Sequence, residues 1–129
     1  MTDPIADMLI RIKNAQAANH KSVRIPFSNL KHELAKILEK KGFIGSVDKK
    51  GKDIYRYIKI NLQYKNGLPA VNDVKRVSRP GQRIYVKKTD IRAVKQGYGI
   101  AVISTSKGLM VGEEAKRAGL GGELLCEIW

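Results

Sequence analysis

The sequence predicts an α+β fold in two small packed lobes. The N-terminal lobe reads α-β-α-β-β, and the C-terminal lobe is mostly antiparallel β with one short helix. Three observations carry this. In the first half, apolar residues recur at helical spacing in two stretches and alternate with polar ones in others. After Asn66-Gly67-Leu68-Pro69 the pattern turns to short strands punctuated by Gly and Pro. At 129 residues the chain has room for one ordinary domain or two very small ones. The lobes are therefore expected at 1–66 and 67–129.

Asp3-Pro4 marks a helix start, a carboxylate at the N-cap before Pro at the first helical position. Ile5, Met8, Leu9, Ile12 and Ala15 follow on one face, with Arg11 and Lys13 on the other. Val23, Ile25 and Phe27 alternate with Arg24 and Pro26, and the Pro suits an edge strand. Ser28 is placed to cap a second helix with Leu30, Leu34, Ile37 and Leu38 on its stripe, ended by Gly42. Phe43 to Val47 is a strand, Lys49-Lys50-Gly51-Lys52 a hairpin turn, and Asp53 to Leu62 the return strand. Ile54, Ile58, Ile60 and Leu62 are expected on its inner face.

In the second half, Val71 to Val77 and Gln82 to Lys87 are strands about the turn Arg79-Pro80-Gly81. Thr89-Asp90 caps a short helix through Lys95. Ile100 to Ile103 is a buried strand, and Ser104 to Gly108 a polar loop. Glu113 to Ala118 is a short helix with acid at its start and base at its end. Gly119-Leu120-Gly121-Gly122 is a turn before a last strand, Glu123 to Trp129.

Charge narrows the function. Lys and Arg outnumber Asp and Glu 25 to 12, a formal +13. Such an excess opposes compaction by self-repulsion and points to a polyanionic partner. The charge is spread over both halves and is densest from Lys75 to Lys95, where eight basic residues face only Asp90. Beyond Gln96 the chain is nearly neutral. A single cysteine, Cys126, excludes a disulfide scaffold. No apolar run is long enough for a membrane span, and no signal peptide is visible. A cytoplasmic, basic, globular protein is the expectation.

Enzyme chemistry finds no support. His20 and His32 have no metal-ligand spacing around them, and Cys126 has neither base nor basic pocket nearby in sequence. Gly97-x-Gly99 lacks a third glycine and precedes a strand instead of following one. Ser104-x-x-Lys107 lacks the companion motifs of penicillin-binding enzymes. The chain is expected to be no enzyme, with no metal, no cofactor and no small-molecule substrate.

Ser104-Thr105-Ser106-Lys107-Gly108 is the more telling stretch. Its hydroxyls either read base edges and 2′-hydroxyls or cap their own backbone. Gly119 to Gly122 is either a turn or a close approach to RNA. Tyr85, beside Arg83, either stacks on a base or is a half-buried strand residue. Lys49, Lys50 and Lys52 are either a solvated turn or a phosphate contact. A general nucleic-acid binder and a pure protein-interaction module remain rivals at this point.

Three blocks then carry a specific resemblance. They are Asp3-Pro4-Ile5-Ala6-Asp7-Met8-Leu9-Ile10-Arg11-Ile12-Lys13-Asn14, then Arg76-Val77-Ser78-Arg79-Pro80-Gly81-Gln82-Arg83-Ile84-Tyr85, then Gly99 to Met110 followed by Gly119 to Cys126. In this order they resemble the bacterial ribosomal protein S8 family over essentially the whole chain. The resemblance implies a primary binder of 16S ribosomal RNA that grips a central-domain stem and nucleates assembly of the platform region. It implies base contacts by Ser104, Thr105, Ser106 and Tyr85. It implies backbone contact or close approach by Lys107, Gly121, Gly122, Glu123, Arg79, Arg83, Lys87 and Lys88 in the C-terminal lobe. In the N-terminal lobe it implies the same for Asp3, Pro4, Arg11, Lys13, Ser28 and Lys31. It further implies the fifth and second small-subunit proteins as neighbours, a monomer outside the ribosome, and repression of its own operon messenger. Val111-Gly112-Glu113 departs from the family's usual Thr-Asp-basic sequence and leaves the last helix with only a glycine as its expected cap.

Overall fold

The computed structural model describes residues 3–129. It is α+β, with helices α1 (Pro4–Ala17), α2 (Asn29–Lys40) and α3 (Gly112–Arg117) and ten strands, all paired antiparallel. The chain divides into two compact units, Ile5–Asn72 and Asp73–Trp129, the latter joined by Asp3 and Pro4.

The first unit is α1, β1 (Ser22–Pro26), α2, β2 (Ile44–Lys50) and β3 (Tyr57–Leu62), with strand order β1-β3-β2. β1 is an edge, so no second neighbouring strand calls on the N–H that Pro26 lacks. α1 buries Ile5, Met8, Leu9, Ile12 and Ala15 as its spacing requires. α2 begins at Ser28, whose hydroxyl accepts the Lys31 N–H at 3.1 Å. Its buried stripe runs through Lys31, Leu34, Ala35 and Leu38; it keeps Leu34 and Leu38 of the expected one and has Lys31 and Ala35 in place of Leu30 and Ile37. Leu30 is exposed, and the apolar stem of Lys31 takes the inward position instead.

The two helices of this unit stop in the same way. At Gly42 (φ +82°) the Phe43 N–H returns to Leu38 O and the Gly42 N–H to Glu39 O. At Asn19 (φ +58°) His20 returns to Ala15 and Asn19 to Gln16. One left-handed residue thus satisfies the carbonyls that a helix end leaves open.

Two expectations are corrected here. The return strand does not start at Asp53: Asp53–Tyr55 is a 3-10 turn, and Ile54 is exposed, not on the inner face. Gly51 and Asp53 both have positive φ, which ends the extended backbone that alternation needs. Ile58, Ile60 and Leu62 do face inward. Asn66-Gly67 is a hairpin turn joining β4 (Tyr64–Lys65) and β5 (Leu68–Pro69), with both turn residues at positive φ. The division between units therefore follows that hairpin, at Asn72/Asp73.

The second unit is a five-stranded sheet. Its path is β6 (Val74–Arg76), β10 (Gly122–Ile128), β8 (Ile100–Thr105) and β9 (Gly108–Val111), with β7 (Tyr85–Val86) also on β10. β9 is a strand that the sequence reading missed, and Ser104 and Thr105 belong to β8, not to a loop. The expected helix from Thr89 to Lys95 is absent. Short 3-10 turns at Lys88–Asp90 and Lys95–Gly97 flank an irregular stretch that buries Ile91 and Val94. Burying those two apolar side chains outweighs the weak helix preference of so short a segment. Ile91, Ile103 and Ala115 form this unit's core cluster with Val86, Met110 and Leu124 packed on it. α3 ends as α1 and α2 do, at Gly119 (φ +72°). Gly112 is its first residue and not its cap, because Val111 precedes the helix in extended conformation.

Candidate nucleic-acid interface

The register of the second sheet builds the site. Glu123 of β10 pairs with Tyr85 of β7 on one side and Ser104 of β8 on the other, and Ser104 pairs in turn with Leu109 of β9. Residues opposite one another on antiparallel strands share a face. Tyr85, Glu123, Ser104 and Leu109 thus form a row on the face away from the core row Leu124, Ile103 and Met110. Two strand spacings put Tyr85 and Ser104 about 10 Å apart. Tyr85 is 71% exposed, so its ring is not a packing residue of the core.

Ser106 and Lys107 are the two exposed residues of the β8–β9 turn, and Gly108 closes it at φ +101°. The hydroxyl groups divide their work. Thr105 Oγ1 donates to Gly108 O at 2.8 Å and accepts the Lys107 N–H at 3.1 Å, so it holds the turn in shape. Ser104 and Ser106 make no side-chain hydrogen bond among the described residues.

Gly121 and Gly122 are required by the chain itself. A Cβ on Gly122 would overlap Ser104 O, and one on Gly121 would sit 2.5 Å from Val86 O and 3.1 Å from Lys88 N. Bare backbone here lets the exit of β7 and the exit of β8 close on β10. Tyr85, Lys87, Lys88 and the serine turn are gathered by that closure.

Glu123 has a supporting role. Its carboxylate accepts a hydrogen bond from Ser78 Oγ and another from Arg83 at 3.1 Å. Burial alone would raise its pKa. The two hydrogen bonds and the charges of Arg83 and Arg76 prevail and hold it below the usual carboxylate range. Ser78 is fully buried and also accepts the Ile84 N–H at 3.0 Å, so one hydroxyl ties β10 to the strand leading into Tyr85. Ser78 and Arg76 are supporting residues that the sequence reading did not single out for this role. Arg76 donates to Asp3 at 3.1 Å and to Leu125 O. Asp3 is therefore spent on an ion pair, near an open groove of about 400 Å³ beside the Arg79-Pro80-Gly81-Gln82 hairpin.

Arg79, Arg83, Lys87, Lys88, Arg92 and Lys95 are all exposed in this unit. Lys95 lies 4.5 Å over the Trp129 ring. In the first unit, Arg11 pairs with Asp7 at 3.0 Å on α1, Lys13 is exposed, and Ser28 and Lys31 are occupied in the start of α2. Pro4, which is counted with the second unit, is exposed. Cys126 is buried, and burial pushes its thiol up to about 12, the behaviour of a small hydrophobe.

Comparison with known proteins settles the family. The profile of the family described as "Ribosomal protein S8" matches residues 3–129. The chain belongs to the ribosomal protein S8 family. It is 48% identical to the small ribosomal subunit protein uS8 of Dictyoglomus turgidum over 129 residues, covering 100% of this chain and 98% of that protein. It is 49% identical to the proteins of the same name from Mycoplasmopsis pulmonis and Nitratidesulfovibrio vulgaris, again over 100% of this chain and 98% and 99% of theirs. Members of the S8 family are structural and not enzymatic. No helix among the described residues is long and apolar enough to cross a membrane.

Proposed function

We propose that this S8-family protein is a component of the small ribosomal subunit that binds a stem in the central domain of 16S ribosomal RNA early in platform assembly. The observation that carries the reading is the row Tyr85–Glu123–Ser104 ending at the serine turn, with two uncommitted hydroxyls and a stackable ring on one face. Hydroxyls and a ring suit the unpaired bases and 2′-hydroxyls of an irregular stem, which bulk charge does not read. Arg79, Arg83, Lys87 and Lys88 supply sequence-blind phosphate attraction. Contacts with the fifth and second small-subunit proteins, and repression of its own operon through a similar messenger stem, belong to the same proposal.

The test is filter binding to fragments of small-subunit ribosomal RNA beside a scrambled control. Ser106→Ala should cost about 1–3 kcal/mol against the cognate stem, as a lost hydrogen bond at a desolvated contact does, with little change on the control. Equal weakening on both RNAs would remove the turn from the role of reader and favour a general RNA or DNA binder.

A further inference from the structure

The tip of the β2–β3 hairpin has a composition that folding does not require. Two strands that pair up to Lys50 and Tyr57 are joined by a six-residue excursion, 51–56. It carries Ile54 and Tyr55, 88% and 78% exposed, side by side at its end. Single exposed apolar residues are commonplace, but two adjacent large ones ringed by cations are not. Lys49, Lys50, Lys52 and Arg56 flank them in the chain, against the one carboxylate of Asp53 within 49–56.

The tip is held in shape from within. Tyr55 N–H returns to Lys52 O at 3.0 Å and Arg56 N–H to Asp53 O at 3.3 Å. Gly51, at φ +81°, leaves no room for a Cβ against Tyr55 O. At the base, the Phe27 ring has Arg56 at 4.5 Å and Lys49 at 5.9 Å, which fixes those two cations. His32 stands 6.1 Å from the same ring, and burial together with Lys49 and Lys36 lowers its pKa. Lys50 and Lys52 are exposed and have no ion-pair partner among the described residues.

We propose that this tip is a second RNA-binding surface of the protein, which takes an unpaired stretch of ribosomal RNA. One base stacks on Tyr55 against Ile54, and the flanking phosphates lie on Lys50 and Lys52. Stacking on an exposed ring with cations on either side is the chemistry by which single strands are held without sequence preference. The net positive charge of the tip selects RNA over a basic or neutral protein partner. The inference rests on the RNA-binding reading above.

The test is directed hydroxyl-radical cleavage in reconstituted small subunits. The full chain carries iron-EDTA on Lys52→Cys or, separately, on Ser106→Cys; the buried Cys126 stays unlabelled. RNA cuts from position 52 are expected. The double variant Tyr55→Ala, Lys50→Gln should bind central-domain RNA at least ten-fold more weakly while melting at the wild-type temperature. Cuts from 106 with none from 52, as an acidic protein neighbour or bare solvent at the tip would give, overturn this proposal alone. Cuts from 52 with none from 106 uphold the tip and remove the serine turn. Silence at both positions overturns both.

Discussion

Ser78 and Glu123 show how much one buried hydroxyl can organise. Ser78 is fully buried, donates to the Glu123 carboxylate and accepts from the Ile84 backbone. Glu123→Gln replaces a charged acceptor by a neutral one facing the same donors, and should cost about 1–3 kcal/mol at neutral pH. Its pH signature has a definite sign. The folded-state pKa of Glu123 lies below its ordinary 4.5, so its stabilisation is complete above that value and is lost as pH falls through the folded pKa. Melting temperatures measured from pH 3 to 7 should fall more steeply below about 4.5 in the wild type than in Glu123→Gln. The sequence offered no means of finding Ser78. Its acceptor lies 45 residues further on, and Val77-Ser78-Arg79 looks like any strand end. The place of Ser106 in an exposed turn was legible, because a short polar run ending in Gly108 between two apolar runs marks one.

Glycines separate two kinds of constraint at the level of elements. Gly42 closes α2 at φ +82° with nothing within 4 Å of an added Cβ, so only backbone strain opposes a side chain there. Gly42→Ala should cost about 1 kcal/mol, a drop of roughly 3–5 °C in melting temperature, and leave RNA affinity unchanged. Gly122 has no such φ but no space either, since Ser104 O occupies the Cβ position. Gly122→Ala should therefore force β8 and β10 apart and lower both melting temperature and cognate-stem affinity. A calorimetric scan beside a filter-binding curve separates the two outcomes. Patterns carried by one element were readable: the face of α1, the cap at Ser28, the inward set of β3. Those that depend on a distant partner were not. β9 is four residues long and exists because β8 pairs with it, and Ile54 left its alternation when Gly51 and Asp53 turned the backbone.

Over the whole molecule, charge and choice are divided. The formal +13 favours attraction to a polyanion such as RNA, and this attraction weakens as salt rises, because counterions displaced by the protein gain less on release into concentrated salt. Removing one phosphate-contacting residue, by Lys87→Ala or Lys88→Ala, should weaken cognate and scrambled RNA alike and flatten the salt slope by about one unit, measured as log affinity against log salt. Arrangement of the sheet has a consequence in time. β10 is the shared partner of β6, β7 and β8, and it follows all three in the chain. Its pairing with β6 joins Cys126 to Arg76, fifty positions earlier. During synthesis, the first unit can close while this sheet still waits for its middle. A nascent or interrupted product that stops short of Gly122 has the serines and the lysines but no assembled row to present them. On the proposed function, competence to dock is thereby deferred until translation has passed the strand that completes the sheet, and unfinished chains should compete poorly with finished ones for RNA.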